Sequence, residues 1–394
     1  MSSSGWMRTV MFMVVAWGGV LCAPAARAGM FGCVPERSGV CATSGWRDAL
    51  LNADAPGLIA PTWRFQTGRL NRSSPAVAHD TVYVGSHDGN LYALGAGDGK
   101  AKWALQTDGE LASSPATDAT SVYVAAGDGT VYGIDAASGK PRWTFRTGKP
   151  LPPPYMGWDL YQSSPIVADG VVYVGSADGR VYALAAADGK PLWSFQTQAR
   201  VRATPALANG VVYAGSMDGR LYALDARSGK PRWTFKTAGN AQFPLGEVQS
   251  SPAVAGDTVY FGSRDGFLYA LDAHTGAKRW AFDNKGSWVI SSPAVADGMV
   301  YVGTSDAHTV LAIDAASGKQ QWSFDARGRV FSSPVVVGKA VYVGLCDGEL
   351  VALDRPTGKL LGYVSTEGTI YSSPAVHESS VYFGSDDGFI YAAR

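Results

Sequence analysis

The chain has 394 residues, 46% of them apolar and only 17% charged, with 33 Lys+Arg balanced by 33 Asp+Glu. A zero balance without a basic run excludes the concentrated positive face that nucleic acid requires, and the apolar fraction excludes a disordered chain. High glycine, at 48 residues, together with 11% aromatic residues points to an all-β fold of short strands and tight turns.

Residues 1–28 read as a secretory signal. Arg8 supplies the positive start, Thr9 to Leu21 is an apolar stretch too short to span a bilayer, and Ala26-Arg27-Ala28 offers a small-x-small cleavage site before Gly29. Cleavage leaves 31 basic against 33 acidic residues, because only Arg8 and Arg27 are lost. A periplasmic or secreted location without a transmembrane span is therefore expected. Cys22 raises the alternative of an outer-membrane lipoprotein, although Gly19-Val20-Leu21 is a poor lipidation signal.

The segment 29–60 shows no repeat. In an oxidising compartment its two cysteines, Cys33 and Cys41, are expected to form a local disulfide. They have neither the spacing of a redox pair nor that of a haem attachment site. Cys346 is then left over at a hairpin tip and reads as a partly buried spare thiol.

From Pro61 to Arg394 the chain repeats. Ser-Ser-Pro, or Ala203-Thr204-Pro205 in one copy, places prolines at 75, 115, 165, 205, 252, 293, 334 and 374. A period near 40 built from short strands is the signature of a β-propeller with one four-stranded blade per repeat. Eight copies predict eight blades. In the fourth, Thr204–Ala208 is strand A, Val211–Gly215 strand B, Leu221–Leu224 strand C and Trp233–Phe235 strand D, with Asp218-Gly219 as the B–C hairpin. Seven strands D carry a tryptophan, at Trp63, Trp103, Trp143, Trp193, Trp233, Trp280 and Trp322, and Gly362 fills the eighth slot. The last repeat ends after strand C, whereas Trp63 opens a strand D with nothing before it. The N-terminal strand should therefore complete the last blade and close the ring.

The pattern Ala223-x-Asp225-x-x-Ser228-Gly229-Lys230-x-x-Trp233 recurs around Asp135, Asp314 and, less completely, Asp272. It resembles the tryptophan-docking motif of the pyrroloquinoline-quinone (PQQ) repeat propellers, which include quinoprotein dehydrogenases and the BamB-like scaffolds of outer-membrane assembly. The resemblance covers Pro61 to Arg394 and implies the propeller fold with the seven tryptophans as packing devices. It speaks weakly to function.

Loop length varies mostly in the D–A crossovers, on the face that also carries the B–C turns. There the sequence gathers Tyr155, Trp158, Asp159, Tyr161, Phe243 and Trp288, an aromatic set expected to bind a partner. Residues before each Ser-Ser-Pro should line the channel mouth. Arg72, Gln162, Arg202, Gln249 and Tyr371, with Arg329 nearby, form a funnel whose guanidinium groups suit a carboxylate-bearing ligand. The aspartates of the B–C hairpins read as turn residues and the five histidines are dispersed, so no metal set is expected.

Two functions remain open on this reading. The BamB-like resemblance implies a monomeric, non-catalytic envelope scaffold that grips a protein partner and needs no cofactor. The quinoprotein resemblance implies an alcohol or sugar dehydrogenase with PQQ and calcium at the funnel, for which Glu110, Glu247 and Asp159 are the nearby acids. The vicinal cysteines and haem motif of many such enzymes are absent from this sequence.

Overall fold

The repeated strand sets fold into eight four-stranded antiparallel sheets arranged around a central channel. The computed structural model describes residues 60–152 and 162–394, and among these all regular structure is strand. Strands A of neighbouring blades contact one another, so A is innermost and D outermost.

In blade 4 the strands are A (Ala206–Ala208), B (Val211–Ser216), C (Arg220–Asp225) and D (Pro231–Lys236). Strand A starts two residues later than the sequence suggests. Pro205 has no N–H to give, and the N–H of Thr204 points sideways to Ser251 Oγ of blade 5 at 2.9 Å. The A–B hairpin turns on Asn209 and Gly210, at φ of 50° and 70°, the paired left-handed geometry of a two-residue hairpin.

That sideways bond belongs to a closed ring. Ser74 N–H donates to Ser114 Oγ (3.0 Å), Ser114 to Ser164 (2.8 Å), and Ser164 to Thr204 Oγ1 (3.0 Å). After Thr204 the series continues from Ser251 to Ser292 (3.1 Å), Ser292 to Ser333 (2.8 Å) and Ser333 to Ser373 (2.9 Å). Ser373 donates back to Ser74 at 2.8 Å. The second residue of each Ser-Ser-Pro thus fastens its blade to the next around the channel, and threonine serves in the fourth copy because it keeps the hydroxyl.

Strands B and C are buried on both faces, since each lies between two neighbouring blades. Val211, Tyr213, Leu221 and Ala223 of blade 4 pack on Val259, Phe261, Tyr269 and Leu271 of blade 5, and the same arrangement recurs around the ring. The core therefore lies in the blade–blade interfaces, where each large apolar side chain contributes about 1.5–3 kcal/mol on burial. Strand D alternates, with residues such as Leu192 facing solvent.

Each strand-D tryptophan spans one such interface. Trp193 Nε1 donates to the carbonyl of Ala226 in the next blade at 2.9 Å, and Tyr173 O–H reaches the same oxygen at 3.3 Å. Trp63, Trp103, Trp143, Trp233, Trp280 and Trp322 make the same bond at 2.8–3.0 Å. Each ring lies against the C–D turn glycine of that blade. At Gly229 a Cβ would come within 2.6 Å of Trp193, and its φ of +69° also favours glycine.

Blade 8 is built from Ala375–His377, Ser380–Gly384, Phe389–Ala393 and the N-terminal strand Pro61–Gln66, with Trp63 opposite Ala392. Its strands C and D come from the two ends of the propeller, so it has no C–D turn. A tryptophan in the Gly362 slot of blade 7 would have no turn carbonyl or glycine to dock on, which accounts for the missing eighth tryptophan.

Candidate functional site: the channel mouth

One face carries both the D–A crossovers and the B–C tips because the two are hydrogen-bonded. Among the described residues, the tip residue of seven blades donates its N–H to the carbonyl of the crossover residue five before the Ser-Ser-Pro proline. The bonds include His87 to Leu70 (3.0 Å), Gly127 to Glu110 (2.9 Å) and Met217 to Arg200 (2.9 Å). Arg264 to Glu247 (3.0 Å), Ser305 to Trp288 (3.1 Å), Cys346 to Arg329 (3.1 Å) and Asp386 to Thr369 (2.9 Å) follow the same rule. The mouth is consequently a double ring of pre-proline and hairpin-tip residues. The second ring is missed by sequence reasoning, although its members can be found as the residue just before the aspartate of each B–C hairpin.

Between these rings most charges are matched locally. Arg72 grips Asp386 with both arms of its guanidinium, Nε to Oδ1 at 3.1 Å and Nη2 to Oδ2 at 2.8 Å, and lies 4.4 Å above the Tyr371 ring. Its fork, expected to suit a ligand carboxylate, is already occupied by an internal one. Arg264, only 2% exposed, donates to Gln249 Oε1 at 2.7 Å and sits 5.1 Å over Trp288. Glu110 takes Arg69 Nη1 at 2.6 Å and His87 Nδ1 at 3.1 Å. Burial pushes the His87 imidazole below its ordinary value, with Glu110 opposing and Arg72 reinforcing the shift. Arg202 and Gln162 are half-buried at the same ring level. Arg200 Nε donates to the Leu151 carbonyl at 2.7 Å.

Glu247 is the exception. It is fully buried, and neither carboxylate oxygen has a hydrogen-bond partner. A carboxylate left in this way costs stability unless it is neutralised.

Beside these charged groups, on the arc of blades 6 to 8, the mouth is apolar. Phe331 and Tyr371 stack with centroids 5.7 Å apart and planes 8° apart, and Ile290 and Cys346 complete a cluster flanked by Trp288. Trp288 meets Phe243 edge-on at 4.8 Å. Phe243 is only 7% exposed, so it supports Trp288 from below and is not itself a surface contact. Beside Trp288 a cleft of 780 Å³ is lined by Lys285, Asp306, Gln242 and Arg329, the last paired with Asp306 at 3.4 Å. Tyr155, Trp158, Asp159 and Tyr161 lie outside the described residues, as do Cys33 and Cys41.

Cys346 departs from its expected role. It is disulfide-bonded and 6% exposed, not a spare thiol. The hairpin aspartates do form turns. Asp218 takes the N–H of Arg220 (3.0 Å), the hydroxyl of Tyr222 (2.7 Å) and the N–H of Gln198 in the preceding crossover (3.0 Å). Among the described residues no three His, Cys, Asp or Glu side chains converge on one point.

The family model for the β-propeller of the β-alanine-activating enzyme matches residues 163–394, and that for outer membrane protein assembly factor BamB matches residues 46–156. No curated protein matches the chain. Among solved structures, BamB from Moraxella catarrhalis is 21% identical over 85% of this chain and 99% of its own, with a TM-score of 0.71. A europium-containing methanol dehydrogenase is 17% identical over 84% of this chain and 86% of its own, at 0.69. Quinohemoprotein alcohol dehydrogenase from Comamonas testosteroni is 16% identical over 85% of this chain and 76% of its own, also at 0.69. At these identities the structural likeness carries the fold. The family matches go further: the chain belongs to the β-propeller family described for the β-alanine-activating enzyme, and is a BamB-like PQQ-repeat propeller.

Proposed function

We propose that this chain is an exported, non-catalytic propeller of the cell envelope, periplasmic or secreted, that engages a protein partner through its crossover face. The observation that carries this reading is the state of the mouth. Arg72, Arg264 and Glu110, the charged groups best placed to grip a small ligand, are matched by Asp386, Gln249, and Arg69 with His87. Trp288 and the cleft beside it provide the kind of aromatic surface that proteins use to bind one another, and the sequence places Tyr155, Trp158, Asp159 and Tyr161 in another long crossover. Likeness to a BamB protein over nearly all of that chain's length supports the same reading.

The second reading is a PQQ-dependent dehydrogenase oxidising an alcohol or sugar at the funnel. It draws support from the fold likeness to methanol and quinohemoprotein alcohol dehydrogenases. When bound, the quinone would accept the reducing equivalents, and Arg202, Gln162, Arg329 and Tyr371 would be the side chains of the mouth placed to hold it.

Residues 29–394 titrated with PQQ and calcium distinguish the two. The scaffold reading expects no saturable change in tryptophan fluorescence and no dye-linked turnover of alcohols or sugars. It also expects a photo-crosslinking residue at position 288 to trap one discrete envelope protein. Saturable binding with turnover would establish the enzyme reading instead.

A further inference from the structure

In five blades one tyrosine clamps the crossover end of the blade. The third residue of strand C, Tyr92, Tyr182, Tyr222, Tyr269 or Tyr391, donates its hydroxyl to the aspartate of its own B–C hairpin at 2.5–2.7 Å. In four of these a phenylalanine of the preceding blade, two residues after the docking tryptophan, meets the tyrosine ring. The pairs Phe65–Tyr92, Phe145–Tyr182, Phe195–Tyr222 and Phe235–Tyr269 have centroids 5.2–5.3 Å apart and planes 59–65° apart. This is close to the edge-to-face arrangement that aromatic rings prefer. Under such tyrosines Asp178, Asp218 and Asp265 are only 2–6% exposed.

Blade 6 breaks the pattern. Its strands C and D are Thr309–Asp314 and Gln320–Asp325, and the third residue of C is Leu311, with Ser323 opposite it. Phe282 of blade 5 still holds the place of the preceding phenylalanine. Blade 7 lacks the tyrosine too, but there Tyr363 stands opposite Val351 and packs into the same cluster as Phe324. In blade 6 neither strand supplies a ring, and the 780 Å³ cleft opens at this point, with Phe282, Leu311, Ser323, Trp288 and Asp306 among its walls.

The hairpin carboxylate has changed its role as well. Asp218 accepts the N–H of the residue two positions on, whereas in blade 6 Thr309 N–H donates to Thr304 Oγ1 at 3.0 Å. The Asp306 side chain is 50% exposed and takes only Ser305 Oγ at 2.9 Å and Arg329 Nη2 at 3.4 Å among the described residues. A carboxylate has about four acceptor sites, so it can take a further donor.

We propose that this cleft is a receptor for a tyrosine side chain of the partner protein, which supplies from outside the ring that blade 6 lacks. The guest ring lies edge-on to Phe282 above Leu311, and its hydroxyl donates to Asp306. The inference rests on the protein-partner reading above and states what that partner presents, a tyrosine in an exposed, extended segment. A cleft of 780 Å³ falls within the roughly 300–1,000 Å³ of sites that enclose a whole ligand. Residues flanking the tyrosine therefore also enter it, alongside Trp288 and Gln320. Phenol is favoured over phenyl because a ring without a hydroxyl would cover Asp306 and leave it without a donor.

The test uses the exported chain, residues 29–394, and a capped Gly-Tyr-Gly peptide with its Phe and Leu counterparts. Nuclear magnetic resonance follows the Leu311 methyls and the Trp288 indole N–H. The tyrosine peptide is expected to shift both signals saturably, the phenylalanine peptide to bind several-fold more weakly, and the leucine peptide not to saturate. Asp306→Asn should reduce the advantage of tyrosine over phenylalanine, and Leu311→Tyr should raise the melting temperature and abolish binding. Should Leu311→Tyr fail to fold, Ser323→Tyr on the exposed strand D fills the space as Tyr363 does in blade 7. No saturable shift with the tyrosine peptide, equal binding of the leucine peptide, or binding that survives the ring-filling variant overturns the proposal.

A photo-crosslinking residue in place of Lys285, on the exposed rim of the cleft, then separates the two readings. It is expected to trap an envelope protein through a segment containing tyrosine, and the ring-filling variant should lose the capture. Capture that persists in that variant overturns the tyrosine slot and leaves the partner reading standing. Peptide binding with no protein trapped overturns the partner reading and the protein source of the ring together, and makes the cleft a site for a free phenol.

Discussion

The backbone N–H of Ser373 donates to Ser74 Oγ at 2.8 Å, joining residues 299 positions apart and closing an eight-membered ring of such bonds around the channel. Each link has the same form, so the loss of any one hydroxyl leaves a partly buried N–H without its partner. A single neutral hydrogen bond of this kind contributes about 1 kcal/mol. Ser74→Ala should therefore lower the stability measured by urea unfolding by about 1 kcal/mol, and Thr204→Ala by a similar amount. Thr204→Ser, which keeps the hydroxyl, should stay within a few tenths of a kcal/mol of the parent. An unchanged midpoint in both alanine variants would remove the ring from the account of how the propeller closes.

Arg72 and Asp386 form a second closure across the same seam, 13% and 14% exposed. The pair is bidentate and largely shielded, so its coupling should exceed that of a surface ion pair, at about 1–2 kcal/mol. A double-mutant cycle with Arg72→Met and Asp386→Leu measures it. Additive single effects would show that the pair is held in place by its surroundings and contributes nothing itself.

Glu247 predicts the opposite sign. Its carboxylate is fully buried and unbonded, so its neutral isostere relieves an uncompensated group. Glu247→Gln is expected to stabilise the folded chain by about 1 kcal/mol at pH 7. Destabilisation would mean that the charge itself is needed at that point of the mouth.

The tryptophan bridges separate into two contributions. Trp193→Phe removes the 2.9 Å bond to Ala226 O while keeping a ring over Gly229, and should cost about 1 kcal/mol. Trp193→Ala also opens the interface and should cost about 3 kcal/mol. Equal losses in the two variants would assign the whole effect to the hydrogen bond.

Stability should fall on mild acidification through His87. Its folded value is pushed below the ordinary 6.5, chiefly by burial, so below 6.5 the unfolded chain binds the proton more readily than the folded one. The contribution is complete above pH 6.5 and is lost as pH falls through that value toward the depressed one. His87→Gln should flatten the stability profile between about pH 7 and pH 5. A second fall comes lower. Arg232 and Ser228 hold Asp225 at about 2, against 3.8 in the free side chain, so its contribution is present above 3.8 and disappears as pH drops toward 2. Arg232→Gln should remove that part while leaving the His87 step intact.

Much of this architecture was readable along the chain. The 40-residue period, the Asp-Gly hairpins, the strand-D tryptophans and the unpaired strands at the two ends of the repeat region predicted eight blades and their mode of closure, because strand alternation and turn conformation are local properties of a few consecutive residues. The seventh-blade glycine at 362 was visible too, but its reason was not. Only the assembled ring shows that blade 8 lacks the turn a tryptophan would meet.

What the tertiary structure alone decided lies between blades. Arg72 looked like a ligand's anchor until Asp386, 314 positions away, was seen to fill its fork. Phe243 looked like surface until Trp288 was seen to cover it. Ser-Ser-Pro read as a period marker, and became a ring of hydrogen bonds only when neighbouring strands A were brought side by side. Cys346 read as a spare thiol, yet in the folded chain it is disulfide-bonded. For Arg72 and Phe243 the physical reason is the same. A repeat encodes the conformation of one blade in every copy, whereas the pairings that make the mouth depend on which unlike residues the closed ring sets face to face.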